Sequence, residues 1–254
     1  MKTVLIGDTG LIGQNLLHQT KFDAMFNSKN INQFVNLDSE VLDIYLSCLP
    51  ATKWQINNNI IDDINNINSI INVLKTKRYN NVVLFSTIDV YTDSPLGVDE
   101  NYNPIFKTLH YGSNRLLFEK MIQSVIDYNR LYVIRLPALF GNFLKKNIIF
   151  DLLNNNCVEK ININTSYQWY DLNDLYYDVQ NIVSSYSGGI FNLFPEPIST
   201  SSILKTFFPD ETRCMSGKLV EYNWKTFHTS SGYTMKREHV TEKIAKFIYE
   251  MRNK

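Results

Sequence analysis

The 254-residue chain has little that would tie it to an oxidising compartment, a membrane, a polyanion or a metal. Its cysteines are three, Cys48, Cys157 and Cys214, odd in number and far apart, which excludes a disulfide framework. No uninterrupted apolar stretch is long enough to span a bilayer. The N-terminus runs directly into an apolar segment, without a basic region or cleavage site, so the reducing cytoplasm is the expected location. Lys+Arg and Asp+Glu both number 25, and no Lys/Arg cluster forms a phosphate-tracking stripe, so nucleic acid and membrane surfaces are not expected partners. The four histidines have no HExxH or CxxC companion, and no metal site is expected. What is present is ample apolar content, 44% of residues, enough for a full core.

The most informative stretch is the first thirteen residues, an apolar run ending in Gly7, Asp8, Thr9, Gly10, Leu11, Ile12 and Gly13. Glycines three apart after a strand suit a phosphate-binding turn. The first permits a tight turn, the second lets backbone approach a pyrophosphate, and the third lets the next helix pack with its N-terminus towards the phosphates. The same pattern also arises as ordinary strand-to-helix punctuation.

Short β-rich runs alternate with longer amphipathic segments: Thr3–Gly7 then Leu11–Thr20; Asp23–Asn27; Asp43–Leu49 then Gln55–Lys77; Asn81–Thr87 then Phe106–Tyr128; and Tyr132–Leu136. This predicts βαβ units on a parallel sheet, an α/β Rossmann-type doubly wound fold. Ile60, Ile64, Ile67, Ile70, Ile71 and Leu74 recur at helical spacing, with asparagines and aspartates opposite, as for a helix covering one face. Beyond Gly141 the elements shorten: Asn147–Asn154 helical, Lys160–Asn164 extended, Asp171–Ser185 helical, a turn at Gly188–Gly189, strand Ile190–Phe194 and a helix at Arg237–Met251. The reading is a dinucleotide-binding domain over 1–141, open to later returns of chain, and a small α+β substrate lobe over 142–254.

Three further stretches follow the glycine turn: Val82–Phe85 leading into Ser86-Thr87-Ile88-Asp89-Val90-Tyr91; Tyr111-Gly112-Ser113-Asn114-Arg115 with Glu119; and Val133–Gly141. In this order, and with Gly189–Asn192 and Ile198–Ser199 more thinly, the chain resembles the extended short-chain dehydrogenase/reductase family of sugar-nucleotide epimerases, dehydratases and ketoreductases. The resemblance implies that Thr87 hydrogen-bonds a substrate oxygen and that Tyr111 gives or takes its proton. It also implies that Ser86, Pro137, Leu139 and the segment Cys48, Leu49, Pro50 lie along the cofactor. Arg115 stands where the family has lysine. Guanidinium keeps the charge but is a planar fork unable to deprotonate, so it need not reproduce a lysine's grip on ribose hydroxyls.

No acid stands at the end of the second strand; Asn27, Ser28 and Lys29 there favour NADP(H), with NAD(H) the alternative. Cys48 reads as a packing residue, because no group is placed to activate it. Lys53, Trp54, Lys146, Asn147, Gln168 and Trp169 are candidate contacts for a nucleotide sugar, each with a solvated-face or core alternative. Family dehydratases carry a Thr-Asp-Glu triplet, whereas Thr87-Ile88-Asp89 lacks the first acid, which disfavours dehydration. NADPH-dependent reduction of a keto group, at C4 of a nucleotide-linked deoxysugar, is the expected reaction. An epimerase using bound NAD and a non-catalytic NADP-binding or sensor protein are the alternatives. By the same resemblance, a homodimer through the tyrosine-bearing helix is expected.

Overall fold

The computed structural model describes residues 2–38, 41–106 and 108–253; Lys107, within the expected helix Phe106–Tyr128, lies outside them. In chain order the strands and helices are β1 (Lys2–Ile6), α1 (Leu11–Gln19), β2 (Ala24–Phe26), β3 (Val41–Leu46), α2 (Lys53–Asn58), α3 (Ile60–Leu74), β4 (Arg78–Thr87), α4 (Tyr111–Val125) and β5 (Asp127–Leu136). Then follow β6 (Ala138–Phe140), α5 (Ile148–Asn154), β7 (Thr165–Tyr167), β8 (Trp169–Asp171), α6 (Leu175–Ser185), β9 (Gly189–Asn192), β10 (Ile198–Ser199), α7 (Thr200–Phe207), β11 (Val220–Glu221) and α8 (Arg237–Arg252). Among the described residues no helix is long and apolar enough to cross a membrane.

The chain forms two compact units, and they interleave in sequence. The first comprises Met1–Pro95, Tyr102–Arg135 and Asp174–Asn192; the second comprises Leu96–Asn101, Leu136–Asn173 and Leu193–Lys254. The single cut after 141 therefore becomes several crossings, with α6 and β9 returning to the first unit.

The first unit is the expected doubly wound sheet, in the order β2-β1-β3-β4-β5-β9, with parallel pairing of β1 to β2 and β3, β3 to β4, and β5 to β9. Alternation along β1 sends Val4 and Ile6 to one face, where they join Ile44, Leu84, Ile67, Ile71, Phe118 and Ile122 beneath α3 and α4. The opposite face carries Tyr45, whose hydroxyl accepts from Gln180 of α6 at 2.7 Å. The strand order reverses between β1 and β3, and the carboxyl ends of these two strands meet there.

Two expected helices change their limits. Gln55–Lys77 breaks at Asn59 (φ −136°, ψ 54°), which closes α2 by donating to the carbonyls of Gln55 and Ile56. Phe106–Tyr128 shortens to α4, because His110 is extended and caps the helix, its Nδ1 accepting from the Gly112 amide at 3.0 Å.

The second unit has a three-stranded sheet, β10-β7-β11, and a parallel ribbon of β6 and β8. Phe247 of α8 lies 5.8 Å from Phe140 of the ribbon. The expected strand Lys160–Asn164 is instead the end of a 3-10 turn (Val158–Lys160) and a loop with one bridge, Asn162 to Met215. Asn162 is the physical reason: its side chain accepts from the Asn164 amide, 3.0 Å, and bends the chain before β7 begins.

Candidate active site

At the switch point the three glycines divide their work. Gly7 has φ +102°, and a Cβ there would stand 2.3 Å from the Ser47 carbonyl at the end of β3. A Cβ on Gly13 would stand 2.1 Å from the Gly7 carbonyl, so α1 packs directly on the turn. Gly10 is exposed, and a Cβ there would meet nothing closer than 3.5 Å, leaving room at the N-terminus of α1. Asp8 contributes a buried oxygen, Oδ1, that no described residue satisfies. Leu11 and Ile12 are half-buried in the first turn of α1.

Beside this turn lies a cavity of about 400 Å³, lined by Gly7, Thr9, Gly10, Asn27, Ser28, Cys48, Leu49 and Pro50 of the expected cofactor residues. Ile6, Ser47, Ile31, Asn32, Asn66, Ser69, Ile70 and Val73 complete it. Sequence reasoning missed the last six; the helical register of α3 was the signal for the final four. Apolar walls with a few amides and hydroxyls at a glycine turn fit a dinucleotide. Lys29 is not in the lining; its amide instead donates to Asn27 Oδ1 at 2.9 Å and closes the loop. Burial pushes the Cys48 thiol up to about 12, with Arg115 opposing, so it stays neutral and unreactive.

Tyr111 opens α4 and is 8% exposed. Gly112 lets the helix start this close, since a Cβ there would lie 2.0 Å from the Asp89 carbonyl. The Tyr111 amide donates to Asn57 Oδ1, 2.8 Å, docking α2 on the same helix end. Thr87, at the end of β4, donates its hydroxyl to Asp89 Oδ2 at 2.9 Å and accepts from the Asp89 amide at 3.2 Å. The other carboxylate oxygen of Asp89 takes Lys53 Nζ at 2.6 Å. Lys53 Nζ also stands 5.9 Å from the centre of the Tyr111 ring.

Arg115 lies beside Tyr111, and its fork is bound to Asp63 and Pro50. Its Cζ lies 4.6 Å from the Tyr111 ring centre, so the charge is beside the phenol. Nη1 and Nη2 hold the two oxygens of Asp63 at 2.9 and 3.1 Å, and Nη2 also donates to the Pro50 carbonyl at 2.7 Å. The fork that was to stand in for a ribose-gripping lysine is thus turned onto α3 and the Pro50 loop. Burial raises the Tyr111 phenol above its ordinary value, Arg115 and Lys53 counter that, and Asp89 adds to it.

Other expected residues are committed to the core. Ser86 donates to Glu119, which also holds Arg135 at 3.1 and 2.6 Å, so its hydroxyl serves a buried network. Gln168 and Trp169 are each 1% exposed; Gln168 bonds the backbone of Pro195 and Trp224 at 2.7, 2.8 and 3.0 Å. Their assignment as substrate contacts is corrected to core: the Gln168 amide is spent within the second unit, and Trp169 is enclosed, its Nε1 finding no acceptor among the described residues. Asn147 caps α5, accepting from the Phe150 amide at 3.0 Å and donating to the Leu139 carbonyl at 2.8 Å, so it too is occupied. Pro137 and Leu139 belong to the second unit with the ribbon strand β6. Lys146 and Trp54 are exposed, Trp54 at 71%.

A parallel sheet with a glycine turn at its switch point defines a Rossmann-type α/β protein of dinucleotide-binding architecture. No family model matches the sequence, and no curated protein matches it. Solved structures do match over the whole chain. MoeE5 in complex with UDP-glucuronic acid and NAD superposes with a TM-score of 0.78 at 13% identity, over 100% of this chain and 99% of that one. UDP-glucuronic acid 4-epimerase from Bacillus cereus gives 0.74 at 14%, over 100% and 99%. A dTDP-4-dehydrorhamnose reductase from Bacillus anthracis str. Ames in complex with NADP gives 0.68 at 16%, over 98% and 99%. These neighbours are of the extended short-chain dehydrogenase/reductase type, and the chain has their fold.

Proposed function

We propose that the protein is an NAD(P)-dependent sugar-nucleotide oxidoreductase that reduces a keto group, at C4 of a nucleotide-linked deoxysugar, with Tyr111 as proton donor. The observation that carries this is the Tyr111 phenol, buried and held among Arg115, Lys53 and Asp89, the last of which bonds Thr87, in the same unit as the glycine turn. The neighbours' names, which include NAD- and NADP-bound sugar-nucleotide enzymes, support the substrate class.

Gly7, Thr9, Gly10, Asn27, Ser28 and the Cys48–Pro50 segment would hold the cofactor, and a nicotinamide supplies hydride when bound. The cavity lining has no Asp or Glu, which favours NADP(H) over NAD(H). A phenol raised by burial keeps its proton at neutral pH, and a protonated tyrosine suits reduction, which must deliver a proton to the carbonyl oxygen. Thr87 orients that oxygen once its hydroxyl proton turns from Asp89 to the substrate. We place the enzyme in the cytoplasm as a homodimer.

Incubation with NADPH and dTDP-4-dehydrorhamnose, with related 4-keto nucleotide sugars alongside, tests the proposal by loss of nicotinamide absorbance. Consumption that disappears in Tyr111→Phe, with NADPH affinity kept, is the expected result. Tight NADPH binding with no consumption across the panel would establish the non-catalytic alternative.

A further inference from the structure

The cation that the tyrosine needs can be traced through the packing of α2. Asn57 and Lys53 are four residues apart and share a face of that helix. Asn57 docks on the Tyr111 amide at 2.8 Å, and this contact sets Lys53 one turn earlier, near the tyrosine ring and against Asp89. Arg115, the other cation at the ring, is nearly buried, with both terminal nitrogens bound to Asp63 and Pro50. Lys53 differs in kind: its side chain is 49% exposed and its carboxylate partner, Asp89, also bonds Thr87. A flexible ammonium on four methylenes can shift between neighbouring anions, whereas a guanidinium fixed at two points cannot.

We propose that Lys53 is the positioning cation of Tyr111, supplying from α2 the movable charge that the helix of Tyr111 itself does not offer. The inference rests on the reading of Tyr111 as the proton donor. In the reduction the Tyr111 phenol O–H bond would break and its proton would pass to the former carbonyl oxygen, the carbonyl carbon taking the hydride that a bound nicotinamide would supply. The negative charge left on the phenolate faces Lys53 and Arg115, with Asp89 opposing. In the resting state Asp89 holds Lys53; once the phenolate forms, the ammonium has a second anion within reach. Burial raises the Tyr111 phenol, Arg115 lowers it by charge and by hydrogen bond, Asp89 raises it and Lys53 lowers it, so Lys53 acts on the phenol beside the fixed Arg115.

The test reads the phenol without turnover. Difluorotyrosine placed at position 111, which ionises at lower pH than tyrosine, is titrated by fluorine NMR in the full chain with no cofactor or substrate. Lys53→Met should move the midpoint upward, and Lys53→Arg should bring it back towards the parent; Lys53→Gln repeats the loss should the methionine variant fold poorly. In steady-state assays with NADPH and the keto sugar, Lys53→Met should lower kcat at least about tenfold with little change in KM. An unchanged midpoint in the Met and Gln variants overturns the proposal whatever happens to turnover. A raised KM with an unchanged midpoint overturns it in favour of a substrate contact. Full turnover in Tyr111→Phe would instead sink the functional reading, and the titration result would be unaffected, so the two failures are distinguishable.

Discussion

Asp89 decides which way the Thr87 hydroxyl points. Its carboxylate takes the Thr87 proton at 2.9 Å, and its own amide fills one lone pair of the same oxygen. Thr87 therefore has an acceptor to offer, while a ketone needs a donor. In Asp89→Asn the amide oxygen can keep Lys53 and the NH2 can donate to Thr87, which turns the hydroxyl proton outward. We expect Asp89→Asn to tighten binding of the keto sugar by about three- to tenfold, one hydrogen bond's worth, measured by calorimetry in the presence of NADPH. Weaker binding would show that the hydroxyl already reorients at no cost. Gly112 makes a second prediction at this scale. Methyl addition at 2.0 Å from the Asp89 carbonyl forces the helix end away, so Gly112→Ala should cost about 1–3 kcal/mol in urea unfolding. It should also lower kcat with Tyr111 intact.

At the scale of elements, α3 and α4 are joined by ions as well as by isoleucines. Asp63, 6% exposed, accepts from Arg115 twice and from Asn114 at 2.8 Å, all from α4. Removing one member of a buried pair leaves the other charged and unsatisfied, so Asp63→Ala should destabilise by about 3–5 kcal/mol, read from thermal or chemical unfolding. A loss under about 1 kcal/mol would mean that water relieves Arg115. The helical period of α3 was legible in its isoleucines, yet Asp63 read as part of the solvated face. Its partner lies 52 residues away, and no local pattern distinguishes an aspartate one step from the apolar stripe that finds a guanidinium from one that finds water. Gln168 and Trp169 failed for a related reason. An amide beside an aromatic describes a binding site and a buried core equally well, and only the enclosure of both residues and the carbonyls of Pro195 and Trp224 that hold Gln168 separate the two. Glycines 7 and 13 were readable because their constraint is a steric one made within a strand-turn-helix.

Across the whole molecule, burial of weak acids ties stability to alkaline pH. Tyr45, Tyr79, Tyr111 and Cys48 are all raised chiefly by burial, Cys48 from 9.0 to about 12. In the unfolded chain each loses its proton near its ordinary value while the folded chain keeps it. Their stabilisation is fully present below about pH 9 and is lost as pH rises through 9 to 12, at about 1.4 kcal/mol per unit for each group. Urea unfolding at pH 8 and 10.5 should show the decline, and Tyr79→Phe should flatten it. The interleaving of the two units leads to the last expectation. A fragment of residues 1–141 contains every motif of the glycine turn and the tyrosine helix, but lacks β9, which pairs β5 through Tyr132–Arg135, and α6, which covers Tyr45. It also loses Asn192, which bonds the Tyr91 hydroxyl within the Arg135–Glu119 network. The β5 edge and part of one face of the sheet would then be bare, which favours edge-to-edge association. We expect 1–141 to be aggregated or non-cooperative in unfolding by circular dichroism. Cooperative unfolding of the monomeric fragment would show that the later returns are dispensable to the sheet.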